Sequence, residues 1–176
     1  MTLRFPSKSL NRRYILGLSL AFAMAAGAAA APRAVLGAEH PFAALAGSWA
    51  GGGIIKKANG GSERIRCRSS YQPEGGAQLS LRLRCASDSY NFDLTANVMY
   101  DGGSITGSWS EASRNVSGGI NGRSNANGSQ IQASAQAVGF NANLSISTRG
   151  ARQSVLITAP GTDVSEVNIT MDRQKA

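Results

Sequence analysis

Two neighbouring stretches alternate arginine with apolar residues. In "ERIRCRS", Arg64, Arg66 and Arg68 alternate with Ile65 and Cys67; in "QLSLRLRC", Arg82 and Arg84 alternate with Leu81, Leu83 and Cys85. A period of two is the strand signature, so each stretch turns its arginines to one face and its cysteine to the other. The two faces offer different chemistry. Cys67 and Cys85 are the only cysteines, and they share one face of a single hairpin. A turn centred near Gly76 opposes them directly, and one centred near Gly75 sets them diagonally. They form either a disulfide, as export to an oxidising compartment favours, or two buried thiols. The five arginines opposite repel one another unless they meet anions. That face suits anionic lipid, acidic polysaccharide or an acidic partner, read through phosphate or carboxylate pairing. The plainer alternative is a solvated face that blunts aggregation. Nucleic acid is not an expected partner, because no aromatic residues interleave with the arginines.

Catalytic chemistry finds little to work with. His40 is the sole histidine, and there is no Gly-x-Ser-x-Gly elbow, phosphate loop or metal-ligand spacing. Glu111 shares strand parity with Trp109 but has no acidic partner in view, so no two-carboxylate site is proposed. The expectation is a protein that is not an enzyme, with no catalytic residue, no metal and no cofactor.

Binding of an apolar molecule is the chemistry that remains. "SITGSWSE" places Trp109 on one face with Ile105 and Gly107. "SYNFDLTANVMY" aligns Tyr90 and Phe92, and "FNANLSIS" begins with Phe140. Several positions of the same parity are small: Gly107, Gly118, Ala133, Ala135 and Ala142. Small inward residues either let sheet walls approach or leave a cavity. In the second case Trp109, Tyr90, Phe92 and Phe140 are the expected wall residues around a small apolar ligand; in the first they are core.

The elements that carry these residues are strands throughout. Alternating runs follow one another, separated by turn chemistry at "ANGG", "PEGG", "YDGG", "NANG" and "APGTD". The pattern predicts an all-β antiparallel meander of about eight to ten strands, since no helical crossovers occur to support parallel pairing. A meander of this length closes into a barrel, which removes exposed edges; a β-sandwich is the alternative. One short helical turn is expected over residues 40–47, "HPFAALAG", with Pro41 suited to a first turn.

"LAGSWAGGG", residues 45–53, joins that turn to the first strand. A helical turn followed by Gly47-x-Trp49 resembles the calycin group of barrels: lipocalins, fatty-acid-binding proteins and their avidin-type relatives. The resemblance implies a tryptophan that plugs the closed end of the barrel and a basic residue near the C-terminus packed over its ring. The matching residues are Gly47, Trp49 and Arg173. Avidin-type barrels surround biotin with several tryptophans; this chain has only Trp49 and Trp109, so biotin is not an expected ligand. The glycines after Trp49 let the strand bend and approach its neighbours.

The opening residues read as an address. Arg4, Lys8, Arg12 and Arg13 precede an uncharged, alanine-rich run from Tyr14 to Ala31. That is an export signal, short for a membrane span. "NRRYIL" resembles a twin-arginine signal, the alternative being a general secretory one. Cleavage is expected near Ala30 or after Ala38, so residues 1–38 are assigned to the leader and 39–176 to a single β-barrel domain. The expected location is periplasmic or secreted. An outer-membrane barrel is disfavoured by the lack of aromatic girdles and by the basic "DRQKA" ending. The leader also accounts for much of the charge. The full chain carries 18 basic and 10 acidic residues, net +8; with five of the basic residues in the leader, the remainder is near +3. The high pI of 10.2 is therefore no sign of nucleic-acid binding.

Overall fold

The computed structural model describes residues 41–175; the export-signal assignment over 1–38 and His40 lie outside them. Ten strands follow in order: β1 (Gly47–Lys57), β2 (Ser62–Glu74), β3 (Gln78–Ala86), β4 (Asn91–Asp101), β5 (Ser104–Glu111), β6 (Val116–Ser124), β7 (Gln130–Ala137), β8 (Phe140–Arg149), β9 (Arg152–Thr158) and β10 (Val164–Arg173). Each pairs antiparallel with the next, and β1 pairs with β10, so the sheet closes into a barrel rather than a sandwich. Hairpins satisfy every strand edge except the outer edges of β1 and β10, and those two satisfy each other.

Residues 41–45 form one turn before β1, with the Leu45 N–H donating to the Phe42 carbonyl at 2.9 Å. The turn stops short of the expected 40–47 span because Gly47 already opens β1 with a φ of +107°. That conformation suits glycine and strains other residues.

Apolar residues point inward. Ile65 and Cys67 on β2, Leu79 and Cys85 on β3, Ile105 and Trp109 on β5, and Ile169 and Met171 on β10 are all buried. Arginine, serine, asparagine and glutamine dominate the outward positions. This polarity is the reverse of a membrane barrel, whose outer band is apolar.

The barrel has two distinct ends. One gathers the 41–45 turn, the chain after β10 and the β2–β3 turn. The other, the mouth, gathers the β1–β2, β3–β4 and β5–β6 turns. Gly51 and Gly53 mark where β1 meets β10. A Cβ on Gly53 would lie 1.8 Å from the Asn168 carbonyl oxygen, and one on Gly51 would lie 2.0 Å from that of Thr170. Only a residue without a side chain allows the seam to close this tightly.

Candidate functional site

The closed end is built around Trp49. Its ring is buried, and its Nε1 donates to the Leu45 carbonyl at 2.8 Å. Phe42 and Leu45 pack beside it with almost no exposure. Arg173 is the register partner of Trp49 across the seam, and its guanidinium carbon lies 4.3 Å from the ring centre. The same guanidinium donates to the Ala44 carbonyl at 2.8 Å and to the Ala46 carbonyl. Arg173 therefore ties the entry turn, the indole and the last strand together. Gly47 sits beside it: a Cβ there would lie 3.5 Å from Arg173 Nη1.

The same end holds a buried polar chain that the sequence did not disclose. Tyr71 on β2 donates to Gln153 Oε1 on β9 at 2.9 Å, and Gln153 Nε2 donates to Thr148 Oγ1 on β8 at 3.2 Å. Burial pushes the Tyr71 phenol up to about 12. The strands β2 and β9 are not neighbours in the sheet, so no local pattern links these residues.

Cys67 and Cys85 face each other across β2 and β3 and form a disulfide, with Cα atoms 4.1 Å apart. Glu74 pairs with Gln78, which centres the turn on Gly76 and puts the cysteines in direct opposition. Gly76 adopts a φ of +77°. A disulfide is compatible with an oxidising, extracytoplasmic setting.

The four expected wall residues gather in the mouth half of the barrel as two separate pairs. Tyr90 and Phe92 stack with centroids 6.2 Å apart and planes 9° from parallel. Lys57 lies over Tyr90 at 5.5 Å and Arg114 over Phe92 at 4.7 Å, so cations cover this pair. Trp109 and Phe140 make the second pair, 5.3 Å apart, in a separate apolar cluster with Ala96 and Ala135. The two differ in chemistry. Trp109 is only 6% exposed, and its Nε1 has no acceptor among the described residues. Buried indole N–H groups ordinarily find one. Around it Leu81, Leu94, Ile120 and Leu144 point inward yet remain only partly buried.

Glu111, at the end of β5, closes the β5–β6 turn. Its carboxylate accepts from the backbone N–H of Asp93 at 2.9 Å, Ser113 at 3.1 Å and Arg114 at 2.8 Å. Burial pushes its pKa up, but these donors outweigh burial and hold it below the ordinary carboxylate range. The segment "EASRN" carries the signal: an acid three residues before Arg114 at the foot of a hairpin. Beside the mouth, Lys57 and Glu63 form an ion pair, and Lys57 is the leading reason that Glu63 is held at about 2. Among the described residues, no three His, Cys, Asp or Glu side chains cluster as a metal site.

All five arginines of the alternating stretches are exposed on the outer wall. Four of them, Arg66, Arg68, Arg82 and Arg84, line an open depression of about 1160 Å³ over β1 to β4. Arg64 does not line it. A second depression, about 490 Å³, lies over β6 to β9 and is lined by Arg123, Gln132, Asn143 and their neighbours.

No family model matches this chain, and no curated protein matches it. Solved structures do. Rv2717c from M. tuberculosis aligns with a TM-score of 0.56 at 15% identity, covering 75% of this chain and 94% of that one. The S-type phycobiliprotein lyase CPES from Guillardia theta aligns with a TM-score of 0.51 at 12% identity, covering 76% of this chain and 90% of that one. At these identities the likeness is one of fold: a calycin-like barrel.

Proposed function

We propose that this protein is exported and acts by binding, not catalysis, holding a small apolar molecule inside the barrel. The ligand carries one hydrogen-bond acceptor. The observation behind this reading is the Nε1 of Trp109, buried beside Phe140 among partly buried leucines and without an acceptor among the described residues. A buried donor left without a partner costs about 1–3 kcal/mol. A ligand carbonyl or hydroxyl beside Trp109 would satisfy it, while Leu81, Leu94 and Leu144 cover the apolar remainder. The disulfide supports the exported location, and the basic stretch followed by an apolar run over residues 4–31 supports it too. The scarcity of candidate acid–base and metal-ligating groups supports a binding role over an enzymatic one.

A naphthyl ketone whose emission brightens in apolar surroundings tests the reading. Bound inside the barrel it brightens and changes the emission of Trp109. Trp109→Phe keeps an aromatic ring but removes the N–H, and it should weaken binding about tenfold, the worth of one hydrogen bond. Binding unchanged in Trp109→Phe, or no binding by the oxidised protein, would remove the proposal.

A further inference from the structure

We infer that the outer wall over β1 to β4 is a docking groove for a linear acidic polysaccharide. It is a second site, separate from the barrel interior. Its charge comes from two adjacent strands. Arg68 and Arg84 are direct register partners across β2 and β3, and Arg82 pairs with Ser70. Same-face residues repeat about every 6.8 Å along a strand, and strands lie about 4.8 Å apart. Arg66, Arg68, Arg82 and Arg84 thus form a small lattice of guanidinium groups rather than a single charged point. Among the described residues, Asp93 on β4 is the one carboxylate that answers them, 3.1 Å from Arg84 Nε and 3.6 Å from Arg82 Nη2. Among the described residues, no acid makes an ion pair with Arg66 or Arg68. Two like charges held directly opposite, one of them without a counter-charge, are stabilised by an anion that spans them.

The rest of the groove selects among anions. Small residues, Ser48, Ala50 and Ser70, leave the arginines standing above them, and Asn91 and Gln174 add polar groups to the lining. Guanidinium forks pair bidentately with carboxylates, and the serine, asparagine and glutamine groups suit sugar hydroxyls. The aromatic residues that border it, Trp49 and Phe92, pack into the inner core, and no ring alternates with the arginines, which argues against a nucleic acid. It is concave, and a flat bilayer would meet its rim rather than its floor.

The disulfide belongs to this site as well. It bridges the inner faces of the two strands that carry the four arginines. It thereby fixes the spacing of the guanidinium groups above it.

Polygalacturonate is the probe, tested with the oxidised protein by calorimetry at two salt concentrations. Neutral dextran, polyphosphate and phosphatidylglycerol vesicles are the comparisons. The expected result is salt-sensitive binding to polygalacturonate and none to dextran. The double variant Arg68→Ser/Arg84→Ser should lose about tenfold or more, the worth of two partly exposed ion pairs. The charge-matched double variant Arg123→Ser/Arg149→Ser, on β6 and β8 outside the groove, should bind as the wild type does. Circular dichroism and the intact disulfide establish that each variant is folded. Equal losses in both variants would reduce the effect to net charge and overturn the groove. So would binding to polyphosphate or vesicles without binding to polygalacturonate. Failure here leaves the Trp109 site untouched, since the naphthyl ketone reads that site alone.

Discussion

Arg173 and Trp49 are register partners at the seam of the barrel, with the guanidinium carbon 4.3 Å from the centre of the indole ring. Three roles meet in that one side chain: a cation on a ring face, and two donors to backbone carbonyls of the entry turn. Arg173→Ala removes all three. The expected loss is about 2–4 kcal/mol, from the cation–π contact and the carbonyls left unanswered. Arg173→Lys keeps the charge but not the fork, and should cost about 1–2 kcal/mol. Urea unfolding measures both, and equal stability of Arg173→Ala and the wild type would contradict the plug.

The disulfide constrains the unfolded chain across 18 residues of sequence separation. Reduction, or Cys67→Ser with Cys85→Ser, should lower stability by about 3 kcal/mol in the chain-entropy model. Thermal melting with and without reductant reads the change; coincident curves would show that the bond contributes nothing.

Gly53→Ala should destabilise far more than Gly60→Ala. A Cβ at residue 53 meets the Asn168 carbonyl, while one at residue 60 meets nothing within 4 Å and carries only the strain of a φ of +86°. The second cost is about 1–2 kcal/mol. The first includes displacement of β10, so loss of cooperative unfolding is the expected readout.

The carboxylates set an acid limit. Lys57 holds Glu63 at about 2, and backbone donors hold Glu111 below its ordinary value of 4.5. Groups depressed in the folded state stabilise it above their unfolded pKa, and that stabilisation is lost as pH falls through the folded value. Melting temperature should therefore fall between pH 4.5 and about 2, and Glu111→Gln should flatten the slope. Tyr71 sets the opposite limit. Its pKa rises from 10.0 to about 12 by burial, so its contribution is whole below pH 10 and lost as pH climbs towards 12. Ultraviolet titration should show one late tyrosinate step that Tyr71→Phe removes; a single common step near 10 would contradict it.

Strand parity was legible because a half-buried strand must alternate. The arginine face and the inward cysteines follow from counting by two, whereas the choice of Gly76 over Gly75 as the turn centre needed the Glu74–Gln78 register. The helical turn and Gly47-x-Trp49 were readable as a unit, and the structure sets Arg173 over the Trp49 ring across the seam. Other features depend on which strands meet across the barrel. Tyr71, Gln153 and Thr148 come from strands β2, β9 and β8, and nothing local marks them as partners. The aromatic wall residues had the right parity, but parity carries no height along the barrel axis. Tyr90 with Phe92 and Trp109 with Phe140 consequently sit in different clusters. The outer depression was hidden for a similar reason: its lining is shared among β1, β2, β3 and β4.

Nine of the ten strand pairings join consecutive strands, and the seam between β1 and β10 is the exception. Arg173 reaches back 127 residues in sequence to the carbonyl of Ala46. Each hairpin needs only its own two strands, whereas the seam must wait for the whole meander. Such a chain is expected to assemble as a growing curved ribbon with slow final closure, since distant pairing carries the largest loop entropy. Until then β1 and β10 are bare edges, and the interval before closure is when a second chain competes most effectively for them.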